Sequence, residues 1–329
     1  MPNTLREVVK RSIGKEHLTS TFPWPLTLTS NDGTVVDVTI AASPPAPARR
    51  GQVPTTADLD GFRAVQQLAY RAAADVAAAL EPGTTERAAA GALRRRLEAD
   101  GVDDWFHLPF AWFGDRAAFR RFRVPLQFLP TGRRLDEGMG FILDAAPVVR
   151  GATADIGFTG ICGANPAVER MMDDLAAYRA LIVDEVRAGR TFREVYEAVD
   201  RLAAEQGYAN RHHAYPGHVI GHVIEPLDPG PGIGLTPARF GRRHLRSLAR
   251  TIAVGRRERW SPLWSGDPRS DHPPVAGLWA MEPHLGLRGV GAKFEEILVI
   301  TDDDAYWLDD DLPHVRRWAE RGITETGAR

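Results

Sequence analysis

Four carboxylates and one histidine stand in short apolar segments of this sequence, where an isolated charge is costly to bury. Asp144 ends GFILD, Asp155 sits in ATADIGF, Glu282 in LWAMEP and Glu295 in KFEEILV, while His218 lies in PGHVIG. Buried carboxylates need a charge partner or a bound cation. Four carboxylates and an imidazole form a suitable ligand set for two divalent metal ions.

Such a set predicts a particular kind of chemistry. Two cations about 3.5–4 Å apart can share a hydroxide and polarise a carbonyl or phosphoryl oxygen. Any one of these acids alone is more typical of a strand end or an ion pair. The whole set in this order favours a metal centre.

The elements that must position these residues follow from apolar periodicity and helix-end signals. Apolar residues recur at helical spacing from near Asp58 to Leu80, where Pro82-Gly83 ends the helix. Further helices are predicted over 85–99, from Asn165-Pro166 to about Arg187, and from the capping box TFRE to about Gly207. Strands are predicted over 105–113, 140–145 and 152–159, and in the last third of the chain. This order predicts a duplicated α+β layout.

The first 56 residues read as an N-terminal extension, and 57–329 as the catalytic domain. The extension contains two short strands around Asp32-Gly33, which is a hairpin dipeptide, and the Pro-rich linker SPPAPARRGQVP.

Residues 235–275 form an insertion rich in arginine, with Trp260 and Trp264. One interpretation is a solvated basic face; another is contact with an anionic substrate or a partner subunit. Beside a metal site, the insertion could serve as a lid or specificity element, or equally as a dimer contact.

Composition excludes several classes of protein. The chain has 329 residues, 43% of them apolar, with 41 basic and 43 acidic residues and a net charge of −2. This balance gives no electrostatic case for nucleic acid or membrane partners. The single cysteine, Cys162, fits a reducing compartment, and the sequence shows neither a signal-peptide core nor a transmembrane run. A cytoplasmic protein is therefore expected.

Taken together, these motifs resemble the pita-bread metallopeptidase family, which includes methionine aminopeptidases, prolidases, Xaa-Pro aminopeptidases and creatinase. Asp144 and Asp155 are eleven residues apart, as are that family's two Asp ligands on adjacent strands. GHVIG is similar to the family's His motif, AMEP to its Glu-Pro pair, and KFE to its last Glu motif. The spacing of thirteen residues between Glu282 and Glu295 resembles the prolidase and creatinase branch.

The resemblance covers about Asp58 to Trp318 and implies an α+β pita-bread fold, with pseudo-twofold αββ halves around a curved antiparallel sheet. It implies that the metal ligands are Asp144, Asp155, His218, Glu282 and Glu295. These residues are expected to bind two divalent ions of Mn, Fe, Co or Zn. It also implies a homodimer.

The implied activity is that of a metal-dependent hydrolase resembling Xaa-Pro peptidases, in which a metal-bound hydroxide attacks an amide of a short peptide or small molecule. The alternative is a diverged metalloenzyme on the same scaffold. That enzyme would act on a dedicated non-peptide small molecule by C–N hydrolysis, a lyase step or iron-dependent oxidation.

Two departures from the family pattern concern its acid–base histidines. The nearest histidine before Asp144 is His107, 37 residues upstream, and it is expected to be a strand or core histidine. The family's His-Glu pair after the ligand histidine is represented here by Ile224-Glu225. Glu225 thus keeps a candidate proton-transfer role, which Glu282 could also take.

Other histidines could replace the missing ones. His222 and His213 lie four residues after and five residues before His218, and we take both as catalytic candidates. His272 and His284 are further candidates. Each could instead orient a ligand from outside the metal's coordination sphere.

Overall fold

The structure is a computed structural model, and it describes residues 27–29, 35–37, 55–120, 122–227 and 234–323. The chain divides into two compact units, Met1–Pro44 and Pro45–Arg329. In the first unit, β1 (Thr27–Thr29) pairs antiparallel with β2 (Val35–Asp37). The expected Asp32-Gly33 turn and the Pro-rich linker lie outside the described residues.

The second unit opens with two helices, as their end signals predicted. Helix α1 (Thr56–Ala78) starts at a capping box in which Thr55 and Asp58 bond reciprocally. Helix α2 (Glu86–Ala99) is capped by the Thr85 side chain. The apolar faces of these helices are buried against the first sheet.

Four strands form this first sheet: β3 (Asp104–Phe113), β4 (Gly140–Val149), β5 (Ala152–Thr153) and β6 (Ile156–Ile161). All pair antiparallel with β4, which is the central strand. The register places Phe110 on one side of Asp144 and Gly157 on the other.

The second half repeats helices before strands. Helix α3 (Pro166–Arg187) is capped by Asn165, and α4 (Phe192–Glu205) begins at the predicted Thr191–Glu194 capping box. The remaining elements are β7 (Ala209–Asn210), β8 (Val219–Ile224), α5 (Arg242–Glu258), β9 (Leu263–Ser265), β10 (Gly277–Met281), β11 (His284–Leu287), β12 (Val290–Lys293), β13 (Glu296–Ile300), β14 (Ala305–Trp307) and α6 (Pro313–Glu320).

These strands form two antiparallel sheets. One has the order β14-β13-β10-β8-β9, and the other has the order β12-β11-β7. An isolated antiparallel bridge between Gly157 and Glu295 joins the two halves. The helix–strand repetition and the antiparallel sheets confirm the α+β layout. Among the described helices, none combines the length and apolar character needed to cross a bilayer.

The arginine-rich segment contributes one helix and one strand to this body. Helix α5 carries most of the arginines, and β9 adds to the sheet beside β8. Trp264 is fully buried and stacks on Phe192 with ring centroids 3.8 Å apart. That tryptophan therefore belongs to the core.

Candidate active site

A buried lysine draws three of the predicted carboxylates to one point. Lys293 ends β12, and its Nζ lies 2.7 Å from Oδ2 of Asp144, 2.9 Å from Oε2 of Glu282 and 2.8 Å from Oε2 of Glu295. The hydroxyl of Tyr215 lies 3.0 Å from the same nitrogen. Residues more than a hundred positions apart in the sequence thus meet where both halves of the fold converge.

The fourth carboxylate, Asp155, is linked to the others through His107 on β3. Nε2 of His107 lies 3.1 Å from Oδ1 of Asp155 and 3.3 Å from Oδ1 of Asp144. The other ring nitrogen lies 3.0 Å from the carbonyl oxygen of Leu108. His107 is thus a buried strand histidine, as expected, and it also contacts two of the acids.

Sequence distance was misleading for His107. Most of the 37 residues before Asp144 form an excursion between β3 and β4, which includes two short 3₁₀ turns at Gly114–Arg116 and Pro125–Phe128. The strands on either side of that excursion pair directly, with His107 opposite Ala146. The pairing of β3 with β4 could have placed His107 near Asp144, because residues on paired antiparallel strands lie close together whatever the length of the loop between the strands.

The histidine that reaches the cluster from β8 is His222. Its Nε2 lies 3.3 Å from Oδ2 of Asp155, and its Nδ1 lies 3.1 Å from the carbonyl oxygen of Val223. His218, which the motif favoured as the ligand, is exposed on the turn before β8, with φ of 55°. Its ring centroid lies 6.2 Å from that of His213, and among the described residues His218 belongs to no group of candidate metal-donor atoms.

The two remaining predicted catalytic residues also lie apart from the carboxylates. Oε2 of Glu225 accepts a hydrogen bond of 2.6 Å from Thr251 on α5. His213 is half exposed, and its Nε2 lies 3.1 Å from Asp200. Neither side chain has a recorded contact with the Lys293 cluster.

Of the further candidates, only His284 contacts the cluster, and it does so indirectly. Nε2 of His284 donates to the carbonyl oxygen of Ala117 at 2.7 Å, which leaves Nδ1 to accept from the Tyr215 hydroxyl at 3.3 Å. His272 instead accepts from the backbone of Ser261 at 2.9 Å. His284 therefore fixes the orientation of Tyr215.

Burial and neighbouring charges set the protonation of the cluster. Burial lowers the pKa of His107, but Asp155 and Asp144 outweigh it and raise that pKa to about 9. Burial, together with the charges of Asp155 and Glu282, raises the pKa of Glu295 well above its usual range. The pKa of Asp155 is lowered, since its two histidine partners outweigh its burial.

The donor chemistry fits a divalent metal ion. Two groups of three residues each offer donor atoms that lie within 4.8 Å of one another. One group is His107, Asp144 and Asp155, and the other is Asp155, His222 and Glu295. In the neutral tautomer, Nδ1 of His222 donates to Val223, so the lone pair on Nε2 faces a carboxylate. Two acceptors facing each other need a proton or a cation between them. Mixed imidazole and carboxylate donors suit Zn, Fe or Mn.

A small cavity adjoins the His222 side of the cluster. It has a volume of about 40 Å³ and lies between β8 and α5, with Phe106, Glu225 and His244 among its lining residues. His244 is 4% exposed, and among the described residues neither of its ring nitrogens has a hydrogen-bond partner; the hydroxyl of Thr153 on another wall has none there either. Unpaired buried polar groups suggest that a polar ligand completes this cavity.

A second histidine cluster lies outside this site. His212 is buried, with Nε2 3.4 Å from Asp200, and burial outweighs that carboxylate and lowers its pKa from 6.5 to about 4. Between those two pH values the unfolded chain binds a proton that the folded protein does not. The contribution of His212 to the free energy of unfolding is therefore fully present above pH 6.5 and is lost as the pH falls towards 4.

We expect that, in the His212→Gln variant, the free energy of unfolding decreases less on acidification than it does in the wild type. At about 1.4 kcal/mol per pH unit, the wild type should lose up to about 3 kcal/mol more than the variant across this window. Denaturant unfolding at pH 7, 5.5 and 4.5 measures it. Parallel pH profiles for the two proteins would contradict the prediction.

Comparisons with known proteins identify the family. The model of metallopeptidase family M24 matches residues 60–302. The chain therefore belongs to this family of metal-dependent hydrolases, which confirms the resemblance noted in the sequence. A search of curated protein sequences gave no match.

Solved structures show the same pita-bread fold. The X-Pro aminopeptidase of Thermotoga maritima MSB8 has a TM-score of 0.57 and 18% identity over 80% of this chain and 63% of that protein. For the dipeptidase PepE of Mycobacterium ulcerans the TM-score is 0.56, with 23% identity over 80% of this chain and 60% of that protein. For the methionine aminopeptidase of Rickettsia prowazekii the TM-score is 0.52, with 14% identity over 78% of this chain and 99% of that protein. The chain thus spans less than two thirds of the first two proteins.

Proposed function

We propose that this protein is a metal-dependent hydrolase that cleaves an amide bond in a short peptide, in the manner of an Xaa-Pro peptidase. The observation that carries the proposal is the convergence of Asp144, Asp155, Glu282 and Glu295 with His222 in one buried cluster. Family membership and the dipeptidase and X-Pro aminopeptidase neighbours support the choice of substrate class.

The residues that would hold the metal ion are Asp155, His222 and Glu295, with His222 in place of His218. A divalent cation there supplies water activation near neutral pH and polarises the substrate carbonyl. Nε2 of His107 is hydrogen-bonded to Asp155 and lies 3.3 Å from Oδ1 of Asp144, which positions a ring nitrogen at the edge of the cluster. Glu282 is the candidate proton acceptor, because burial and nearby negative charge raise its pKa.

A peptidase panel tests the proposal. Purified protein should hydrolyse Xaa-Pro dipeptides or N-terminal peptide bonds when supplied with Mn²⁺, Co²⁺, Zn²⁺ or Fe²⁺. Chelation with EDTA should abolish turnover, and the metal should restore it. Absence of turnover with every metal and every peptide would refute the peptidase assignment.

One observation favours the second candidate, a diverged metalloenzyme acting on a non-peptide small molecule. A helix of the arginine-rich segment, α5, forms one wall of the cavity beside His222, where it could select a dedicated substrate. Metal-dependent turnover of small amides, with no turnover of dipeptides, would favour this candidate. Ordinary turnover of dipeptides would exclude it.

We also propose that the protein works as a cytoplasmic homodimer, which the family resemblance alone supports. Sedimentation equilibrium should then give about twice the chain mass of 36.2 kDa. A monomer mass at micromolar concentration would contradict the dimer.

His244 gives a prediction that separates substrate recognition from folding. Replacing it with Phe should raise KM about tenfold through one lost hydrogen bond, with kcat changed less than about threefold. The same change removes a buried imidazole without partners, so the free energy of unfolding should rise by about 1 kcal/mol. Arg246→Ala, on an exposed position of α5, is the control. An unchanged KM in His244→Phe would remove this residue from substrate recognition.

A further inference from the structure

Lys293 is an unusual residue in this chain. The 41 basic residues include only three lysines, Lys10, Lys15 and Lys293. The Lys293 side chain has 0% exposure, so it is a fully buried ammonium within the described structure. An ammonium is a compact point charge, unlike the planar guanidinium that the chain uses elsewhere.

The surrounding backbone is shaped to hold this side chain. The Thr159 hydroxyl accepts from the Lys293 amide at 2.9 Å and donates to its carbonyl oxygen at 2.7 Å. The aliphatic stem passes over Gly157, where an added Cβ would lie 2.2 Å from Cε of Lys293. Gly157 itself pairs with Asp144 and forms a bridge with Glu295. The space for the lysine is therefore built by the strands that carry two of its carboxylates.

The contacts of Nζ are those that a metal ion would require. Nζ donates to one oxygen each of Asp144, Glu282 and Glu295 at 2.7–2.9 Å, and the Tyr215 hydroxyl is a fourth acceptor at 3.0 Å. Those oxygens cannot bind a divalent ion while the ammonium lies among them, which leaves Glu295 only its Oε1 as a metal donor. Asp155 has no recorded contact with Lys293, and its oxygens face His107 and His222 instead.

We propose that the Lys293 ammonium occupies the place of a second cation, so that the protein binds one divalent metal ion, at Asp155, His222 and Glu295. The inference rests on the proposed function, since it takes the cluster to be a metal centre. It departs from the sequence-based expectation of two ions. Lys293 thereby acts as a positioning residue that sets the nuclearity of the centre.

The balance of charges in the cluster is consistent with one ammonium and one metal ion. Four buried carboxylates repel one another, and one fixed positive charge relieves part of that repulsion without any ion. The remaining negative charge lies nearest the two histidines, where one divalent ion would balance it.

Metal stoichiometry tests the inference without reference to activity. Apo-protein is equilibrated with Mn²⁺, and bound Mn per chain is measured together with its electron paramagnetic resonance spectrum. We expect one uncoupled Mn²⁺ in the wild type, and a second, exchange-coupled ion in Lys293→Met. Asp155→Ala provides the background for non-specific binding. Circular dichroism verifies that each variant is folded.

Each outcome decides a different statement. Two coupled ions in the wild type would overturn the role of Lys293 and leave the proposed hydrolase intact. One ion in both the wild type and folded Lys293→Met would also overturn it. Wild-type binding no greater than that of Asp155→Ala would refute the metal centre, and the inference with it.

A spectroscopic measurement on the wild type gives an independent test that needs no variant to fold. With ¹⁵N-labelled lysine, only three ammonium groups can give signals. We expect one slowly exchanging NH₃⁺ signal from Lys293, and we expect it to persist after saturation with Zn²⁺. Loss of that signal on adding Zn²⁺ would show that the metal displaces the lysine and would overturn the inference.

Discussion

Replacing Asp155 with Asn should abolish metal binding and reduce kcat/KM by more than about 1,000-fold. Asp155 belongs to both groups of candidate donor atoms, and its two oxygens face different histidines. Asn keeps the shape of the side chain but removes the charge and one acceptor. Loss of several kcal/mol of electrostatic stabilisation corresponds to an effect of this size.

Bound metal per chain and hydrolysis of the best substrate from the peptide panel are measured on the same preparations. Asp103→Asn is a matched control, because Asp103 is exposed beside β3 and makes no contact with the cluster. Retention of metal by folded Asp155→Asn would show that the cluster binds its ion through other residues.

Replacing His222 with Ala should reduce metal affinity by more than about 100-fold, whereas the same replacement of His218 should change it less than twofold. His222 directs Nε2 at Asp155 from 3.3 Å, and His218 is exposed on a turn. Loss of a direct ligand should exceed the 10–100-fold cost that is usual for removing an outer hydrogen-bond partner.

The two variants serve as controls for one another, since each removes one imidazole from the same short segment. Isothermal titration with Zn²⁺ measures the affinity, and thermal unfolding verifies the fold. The reverse result, with His218→Ala losing the metal and His222→Ala keeping it, would restore the ligand that the motif favoured. Equal losses would indicate that the turn before β8 rearranges when the metal binds.

The helices and the acidic residues could be predicted from the sequence because their signals are local. The Thr191–Glu194 capping box and the Asn165-Pro166 start each lie within a few residues of the helix they begin. The carboxylates stood out because charged residues are rarely placed in apolar strand segments without a partner. Three of them, Asp144, Glu282 and Glu295, meet at one nitrogen in the structure.

The choice of histidine required the position of a strand end. The motif placed His218 and His222 four residues apart, and both were candidates on sequence grounds. Because β8 begins at Val219, His218 stays on the preceding turn, while His222 lies within the strand and pairs with Ala280 of β10. Element boundaries are the least certain part of any sequence-based interpretation, and here one boundary selects the side chain.

By itself, the sequence determined the family, the duplicated α+β order and the set of four acids, since all of these are written in short motifs and their spacing. Only the tertiary structure decided that His107 joins the acids and that Lys293 lies among them. Both depend on contacts between strands that are far apart in the chain, which no local pattern encodes. Within KFE the lysine is an ordinary flanking residue, and it becomes a buried cation only when both halves of the fold close around it.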